Sequence, residues 1–474
     1  MGALIYEIYP AAIGTFNDIT KLIPQIAKNI GPDFIWLSPC FQSPWEDGGY
    51  DVSDYYEVNS RFGTMADFNE LVATAREFKI GILLDLVLHH TSNQHRWFRE
   101  AEKGNPDYVD YYLWSNKPRR WDNFFGGSAF SFDPKKGQYY QHLFSSSQPD
   151  LNFRNPRVVD EFIDIMDFWK GLGIAGFRFD STNILVDSRL RAGCLPHIGG
   201  FWKYLQTRQT VKVLAELTED PDLFFLAEPV GGELFSRDML NQLYSKTGFD
   251  AIFNIGTLDV ADTSFSRKDR LMPINYKRWL NTLVRWSVES GFAVALESHD
   301  TPRATSRFRA DPRALAMLQF LLPCEFPCLY QGQEFGTVNP HLSDNIGDYD
   351  DVLSRNTYYN LIGEGMNERD AIEVVKHWSR QNARTPVDWQ QYDSQTGPDS
   401  TLAFYRKLID LWRNNDVVTY GDLEIKTIDN SGVIEFCRRR YFKRYHIRID
   451  LTGKTESYLK NIDGKKVLCV PARV

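Results

Sequence analysis

The chain has 474 residues, 43% hydrophobic and 24% charged, which excludes a disordered or fibrous chain and suits one large α/β domain with attachments. Its 54 basic and 62 acidic side chains leave a net charge of −8, which argues against nucleic acid or an anionic membrane as partner. The 6 cysteines (Cys40, Cys194, Cys324, Cys328, Cys437 and Cys469) are scattered and form no CxxC pair, so they predict free thiols in a reducing cytosol and no disulfide framework.

The chain opens MGALIYEIYP, which enters a strand-like run and lacks the basic-then-apolar pattern of a signal peptide. No apolar run approaches the roughly 18 residues of a membrane-spanning helix. Eight apolar runs then follow one another: LIYEIYP from Leu4, DFIWLSP from Asp33, KIGILLDLVL from Lys79, IAGFRFD from Ile174, LFFLAEP from Leu223, DAIFNI from Asp250, FAVALESHD from Phe292 and FPCLYQGQE from Phe326. Continuous apolar runs of this length read as strands buried on both faces. Amphipathic helical stretches such as ITKLIPQIAKNI, ADFNELVATAREFK and VVDEFIDIMDFWKGLG lie between them, and this alternation predicts an α/β fold, a (β/α)8 TIM barrel.

Two stretches break the rhythm. Residues 91–152, rich in aromatic, Gly, Ser and Pro residues, far exceed the usual βα loop of about 2–6 residues and predict a folded insertion after strand 3. Gly336 to Ser400 form a second excursion after strand 8. Beyond it the alternating segments DLEIKTI, GVIEFCRRR, KRYHIRIDL, ESYLK and KKVLCVPARV, separated by turn signals, predict a small C-terminal antiparallel β domain. The expected division is a barrel over 1–90 and 153–415, an inserted domain over 91–152 and the β domain over 416–474. The basic cluster Arg438 to Arg444 reads as a solvated strand pair with its turn.

The informative residues are acids that interrupt the apolar runs: Asp85 in LLDLVLHH, Asp180 in GFRFD, Glu228 in FLAEP and Asp300 in ESHD. Each falls at or near the C-terminal end of a predicted strand, the face where barrel active sites form. Four desolvated carboxylates at corresponding positions of different strands are hard to explain structurally, because each costs several kcal/mol unless compensated.

These four segments, in this order, resemble the conserved regions of glycoside hydrolase family 13, the α-amylase superfamily. GYDVSDY from Gly49, QPDLNFRNP from Gln148, LYQGQEFG from Leu329 and SRQNARTPVDW from Ser379 resemble its oligo-1,6-glucosidase branch. The resemblance implies a retaining enzyme with Asp180 as nucleophile, Glu228 as general acid/base and Asp300 as the third carboxylate, which binds sugar hydroxyls and favours the oxocarbenium-like transition state. It further implies that His90 and His299 hold hydroxyls of the reacting sugar, that Tyr50 stacks beneath it, and that Asp51 and Arg384 pair to grip a terminal glucose. Gln148 is then expected at the pocket rim, and Asp85 as a support orienting Arg178 or His90. Arg178, two residues before Asp180 on the same strand face, would keep the nucleophile ionised.

Some positions depart from that pattern. The stretch AAIGTFNDITK after strand 1 lacks alternating acidic calcium ligands, and His89 replaces the Asn that usually precedes the first-region His. An imidazole is a poor ligand for a hard, oxygen-seeking cation, so no cofactor is expected and no calcium requirement. Ser181 after the nucleophile goes, in similar family members, with α-1,4 rather than α-1,6 linkages, and Ser298 stands where Asn usually precedes the His-Asp pair. The expected activity is a cytoplasmic exo-acting α-glucosidase releasing glucose from short α-linked gluco-oligosaccharides. Two alternatives are a transglycosylase or isomerase acting on sucrose, trehalose or maltose, and a non-catalytic amylase-like binding protein.

Overall fold

The computed structural model describes residues 2–186, 208–230, 245–253, 275–395 and 397–472. Eight parallel strands close into a barrel: β1 (Ile5–Ile8), β2 (Phe34–Leu37), β3 (Gly81–Val87), β4 (Gly176–Asp180), β5 (Phe224–Ala227), β6 (Ala251–Phe253), β7 (Phe292–Ala295) and β8 (Phe326–Tyr330). They are the eight runs read from the sequence, in chain order around the barrel; Asn254 and Ile255 of the sixth run lie outside the described residues. The (β/α)8 expectation therefore holds.

Side chains alternate along a strand, so each strand divides its residues between barrel interior and helix layer. Ile5, Trp36, Leu83, Leu226, Ala251, Phe253, Ala293, Ala295, Phe326 and Cys328 form one closed cluster inside the barrel. Leu4, Tyr6, Ile8, Ile35, Leu37, Leu84 and Phe177, of the opposite parity, pack in the larger cluster with the helices. Counting on in twos, Glu7 follows Ile5, Asp85 follows Leu83, and Glu228 follows Leu226. Arg178 and Asp180 share that parity on β4, through the register pairs Asp85–Arg178 and Val87–Asp180. The charged residues thus cap the apolar column at its C-terminal end.

The helices are started by their own side chains. Helix α1 (Phe16–Asn29) and helix α2 (Met65–Glu77) each begin with a capping box, Thr15 with Asp18 and Thr64 with Asp67. Helix α3 (Pro156–Gly171) opens on Asn155 as cap with Pro at its first position. Phe16, Ile19, Ile23 and Ile26 lie on one buried face of α1, the spacing of an amphipathic helix against a sheet.

The stretch after β3 carries a helix (Arg96–Glu102) and a three-stranded antiparallel sheet, with Gln138–Gln141 between Trp114–Ser115 and Phe130–Asp133. The stretch after β8 carries the helices Val352–Gly363 and Glu368–Trp378 and a single turn, Gln391–Ser394. At the C-terminus a short helix (Asp416–Tyr420) precedes a five-stranded antiparallel meander, β9 (Asp422–Ile428), β10 (Val433–Arg440), β11 (Lys443–Asp450), β12 (Ser457–Asn461) and β13 (Lys466–Val470).

The basic cluster on β10 and β11 is only partly solvated. Arg438 is buried, donating through Nη1 to Leu321 O at 2.9 Å and through Nε to Gly421 O at 3.1 Å, so it ties the meander to the barrel. The five described cysteines are unpaired, and Cys194 lies outside the described residues. Among the described residues no helix is long and apolar enough to cross a membrane.

Candidate active site

Arg178 is the hub of the barrel rim. Its side chain is fully buried over the Trp36 ring, 4.9 Å from the ring centre. Nη1 donates to Asp85 Oδ1 and to Asp180 Oδ1, both at 2.7 Å, and Nη2 donates to Glu228 Oε2. Burial works against its charge, but the three carboxylates prevail and hold it well above its ordinary range. The other Asp180 oxygen, Oδ2, accepts from the Ser181 hydroxyl at 2.8 Å. Ser181 adopts a left-handed backbone conformation, φ 53°, where the chain turns off β4.

Glu228 follows β5 directly, beside Asp180 at the end of the neighbouring strand, with its backbone N–H on Phe179 O at 3.0 Å. Burial pushes its carboxyl well above the usual range; Arg178 opposes that, while Asp180 and Asp300 reinforce it. Burial likewise raises Asp85 to about 6, against the pull of Arg178. Asp85 Oδ2 accepts from the Trp36 indole and the Tyr50 hydroxyl, both at 3.1 Å, while its Oδ1 faces Arg178.

Asp300 faces two arginines and an imidazole. Its Oδ1 meets Arg384 Nη2 at 2.8 Å and Arg380 Nη1 at 3.4 Å, and its Oδ2 meets His299 Nε2 at 3.2 Å. Burial alone would raise its pKa, but His299, Arg384 and Arg380 hold it well below the carboxylate range. His299 Nε2 also lies 2.6 Å from the Tyr50 hydroxyl, and the Tyr50 and His299 rings stack with centres 5.6 Å apart.

On the opposite side, Gln148 donates to Asp47 Oδ2 at 3.1 Å and its amide lies 3.0 Å from His90 Nε2. Burial keeps His90 neutral by lowering it to about 4. Asp180, Glu228, Asp300, Asp85, Arg178, Tyr50, His299 and Arg384 therefore form one connected set, with His90 and Gln148 joined to it through Tyr50 O and Asp47.

Asp51 is the exception. Its carboxylate accepts from the Ser43 hydroxyl at 2.9 Å and from the backbone N–H groups of Glu46 and Asp47 at 2.8 and 3.1 Å. It closes the turn and does not reach Arg384. The acid of this loop that pairs with an arginine from beyond β8 is Asp47, whose Oδ1 meets Arg380 Nη2 at 2.9 Å. The backbone accounts for the difference: Gly48 and Gly49 take positive φ values of 59° and 102°, a sharp turn after which Asp51 bonds back into its own loop while Asp47 faces Gln148 and Arg380. A Cβ on Gly48 would meet Arg384 Nη1 at 2.5 Å, so the loop also needs glycine there to lie against that arginine.

The sequence reading missed Asp47, Arg380, Glu7 and Asp351. Asp351 caps the helix Val352–Gly363, accepting from Ser354 N, and also accepts from Arg380 Nε at 2.9 Å. For Asp47 the adjacent Gly-Gly pair was a usable signal; the other three are joined to their partners only by the fold.

Asp18, in the first turn of α1, accepts on Oδ2 from the Thr15 amide and hydroxyl, at 3.0 and 2.7 Å. Among the described residues no three His, Cys, Asp or Glu side chains converge to hold a metal ion.

Comparison with known proteins agrees with this geometry. Residues 7–421 match the family described as alpha amylase, catalytic domain. An oligo-1,6-glucosidase of Parageobacillus thermoglucosidasius is 30% identical over 92% of this chain and 87% of its own length. A trehalose-6-phosphate hydrolase of Bacillus subtilis (strain 168) is 31% identical over 92% of this chain and 86% of its own. Among solved structures, trehalose-6-phosphate hydrolase of Bacillus licheniformis aligns with a TM-score of 0.83 at 29% identity, covering 97% of this chain and 91% of that one. Isomaltulose synthase from Klebsiella sp. LX3 aligns with a TM-score of 0.87 at 27% identity, covering 96% and 91%. With a barrel of this topology, acids gathered at its C-terminal rim and a family match across most of its length, the chain belongs to the α-amylase family of glycoside hydrolases.

Proposed function

We propose that this protein hydrolyses short α-linked gluco-oligosaccharides from the non-reducing end, with retention, through a glucosyl ester on Asp180. The observation that carries the reading is that Asp180 and Glu228 sit on one guanidinium at the ends of neighbouring strands. That placement suits the spacing of about 5–5.5 Å that retention needs, rather than the wider gap of an inverting pair. Arg178 pins Asp180 Oδ1, which leaves Oδ2, held only by the rotatable Ser181 hydroxyl, as the oxygen to attack C1.

As the C1–O bond breaks, Glu228 passes its proton to the leaving oxygen; its raised pKa keeps that proton available. The resulting carboxylate then takes a proton from water, whose oxygen attacks C1 and frees Asp180 with α-glucose as product. Asp300, kept ionised by its cations, is suited to gripping ring hydroxyls as positive charge develops at C1.

Exo action is supported by the joined contacts of Asp47, Gln148 and Arg380, which set polar groups across one end of the pocket. The known activities of the relatives, on 1,6-linked glucosides and on trehalose 6-phosphate, are consistent with a glucosyl unit at the reacting position. The reading requires no metal: Asp18 is the one acid in the stretch AAIGTFNDITK and caps α1 through Oδ2, and His89 stands where similar family members carry an Asn. Unpaired cysteines suit a cytoplasmic setting.

The test is a panel of maltose, isomaltose, sucrose, trehalose, trehalose 6-phosphate and p-nitrophenyl α-glucoside, with products followed by proton NMR. α-Glucose as the first product supports the proposal. β-Glucose first would overturn retention, and a rearranged disaccharide from sucrose or trehalose would overturn simple hydrolysis.

A further inference from the structure

Glu7 takes no part in bond making, yet it is fully buried on β1 beneath the pocket. Its Oε1 accepts from His299 Nδ1 at 2.5 Å, from the His299 backbone N–H at 3.2 Å and from the Ser38 hydroxyl at 3.4 Å. Its Oε2 is buried and has no hydrogen-bond partner among the described residues. An isolated buried carboxylate is unfavourable unless a cation answers it.

The hydrogen bonds on the other edge of the His299 ring identify that cation. Tyr50 gives its one hydroxyl proton to Asp85 Oδ2 at 3.1 Å, an oxygen that also accepts from Trp36. His299 Nε2 lies 3.2 Å from Asp300 Oδ2, a carboxylate oxygen that can only accept, and 2.6 Å from the Tyr50 oxygen, so Nε2 carries a proton. The Glu7 carboxylate can likewise only accept, so Nδ1 carries one too. A ring protonated on both nitrogens is an imidazolium.

We propose that Glu7 is a positioning residue for the reaction, locking His299 as a doubly protonated cation whose Nε2–H faces Tyr50, Asp300 and the sugar. The sugar in that statement rests on the hydrolase reading; the protonation state of His299 does not. The acids facing the ring are Glu7 from β1, Asp85 from β3, Glu228 from β5 and the adjoining Asp300. Tyr9 stacks 5.9 Å away, Arg384 Nε donates to the His299 carbonyl at 3.2 Å, and Cys328 and Tyr330 of β8 lie within the field of Glu7. Burial opposes the charge, but Asp300 and Glu7 overcome it and raise His299 to about 9. An amide at position 7 could still accept from Nδ1, but it could not answer the charge.

The experiment is an NMR pH titration of the full chain labelled at its 9 histidines, with the His299 signal identified by its loss in His299→Gln. Wild type should stay imidazolium to near pH 9, and in Glu7→Gln the midpoint should fall by about 1–2 pH units. The alkaline limb of kcat should move down with it, a change that a purely structural role would not produce. An unchanged midpoint in Glu7→Gln would overturn the proposal. Should that variant not fold, a neutral His299 at pH 7 in wild type would overturn it equally. If wild type cleaves none of the glucosides while His299 titrates as stated, the hydrolase reading fails and the Glu7–His299 assignment stands.

Discussion

Replacing Arg178 by Met keeps an unbranched apolar stem over Trp36 and removes the guanidinium that Asp85, Asp180 and Glu228 share. Stripping a buried carboxylate of its counter-charge costs about 3–5 kcal/mol at neutral pH. Three carboxylates do not triple the cost, because an unpaired buried carboxyl escapes by taking up a proton. With an unfolding entropy of about 2.1 cal/mol/K per residue over roughly 400 barrel residues, a loss of about 4 kcal/mol lowers Tm by about 5 °C.

The pH dependence separates charge from packing. Without Arg178 the buried Asp85 and Glu228 carboxyls bind protons more tightly folded than unfolded. Their contribution is therefore intact below the unfolded pKa near 4 and is lost as pH rises through the raised folded values. The Tm gap between wild type and Arg178→Met should be widest near pH 7 and close toward pH 4. Calorimetric scans across that range provide the assay. A gap of constant size would place the loss in packing and refute the argument, as would a variant as stable as wild type at pH 7.

Three further outcomes follow from the same geometry. Asp180→Asn should lower kcat on the best glucoside by at least about 10⁴-fold with little change in Tm, measured with p-nitrophenyl α-glucoside and calorimetry. Asp47→Ala should weaken turnover, because it releases Gln148 and Arg380, whereas Asp51→Ala should mainly lower stability by about 1–3 kcal/mol, because it orphans two backbone N–H groups and a hydroxyl. Paired kinetics and melting curves decide between them. His90, lowered to about 4 when folded, contributes stability fully above its unfolded pKa near 6.5 and loses it as pH falls through 4, so His90→Gln should lose less stability than wild type over that interval in denaturant titrations.

The barrel was legible because its strands are buried on both faces, which leaves runs such as GILLDLV and FPCLY apolar throughout and makes an acid within them conspicuous. Asp85, Asp180 and Glu228 stood out for that reason, and period-two alternation put Arg178 beside them. Glu7 breaks the run IYEI in the same way but carries no motif, and its partner lies 292 positions along the chain. Asp47 and Asp51 show what pattern cannot resolve. Both acids sit in one short loop, and only the two left-handed glycines between them determine which enters the pocket. Arg380 was hidden for a related reason: it meets Asp47, Asp300 and Asp351, three acids scattered over more than 300 positions. The basic run on β10 and β11 looked uniformly hydrated because composition does not show that Arg438 points under the sheet toward Leu321.

Asp47 comes from the segment after β2, Gln148 from the one after β3, and Arg380 from the one after β8, and the three meet side chain to side chain. Asp180 and Glu228, by contrast, stand at the ends of the barrel strands themselves. On the proposed hydrolysis, lengthening or trimming one of those three segments therefore reshapes which sugars enter while Asp180 keeps its aim. A lineage built this way can change its diet without relearning its chemistry.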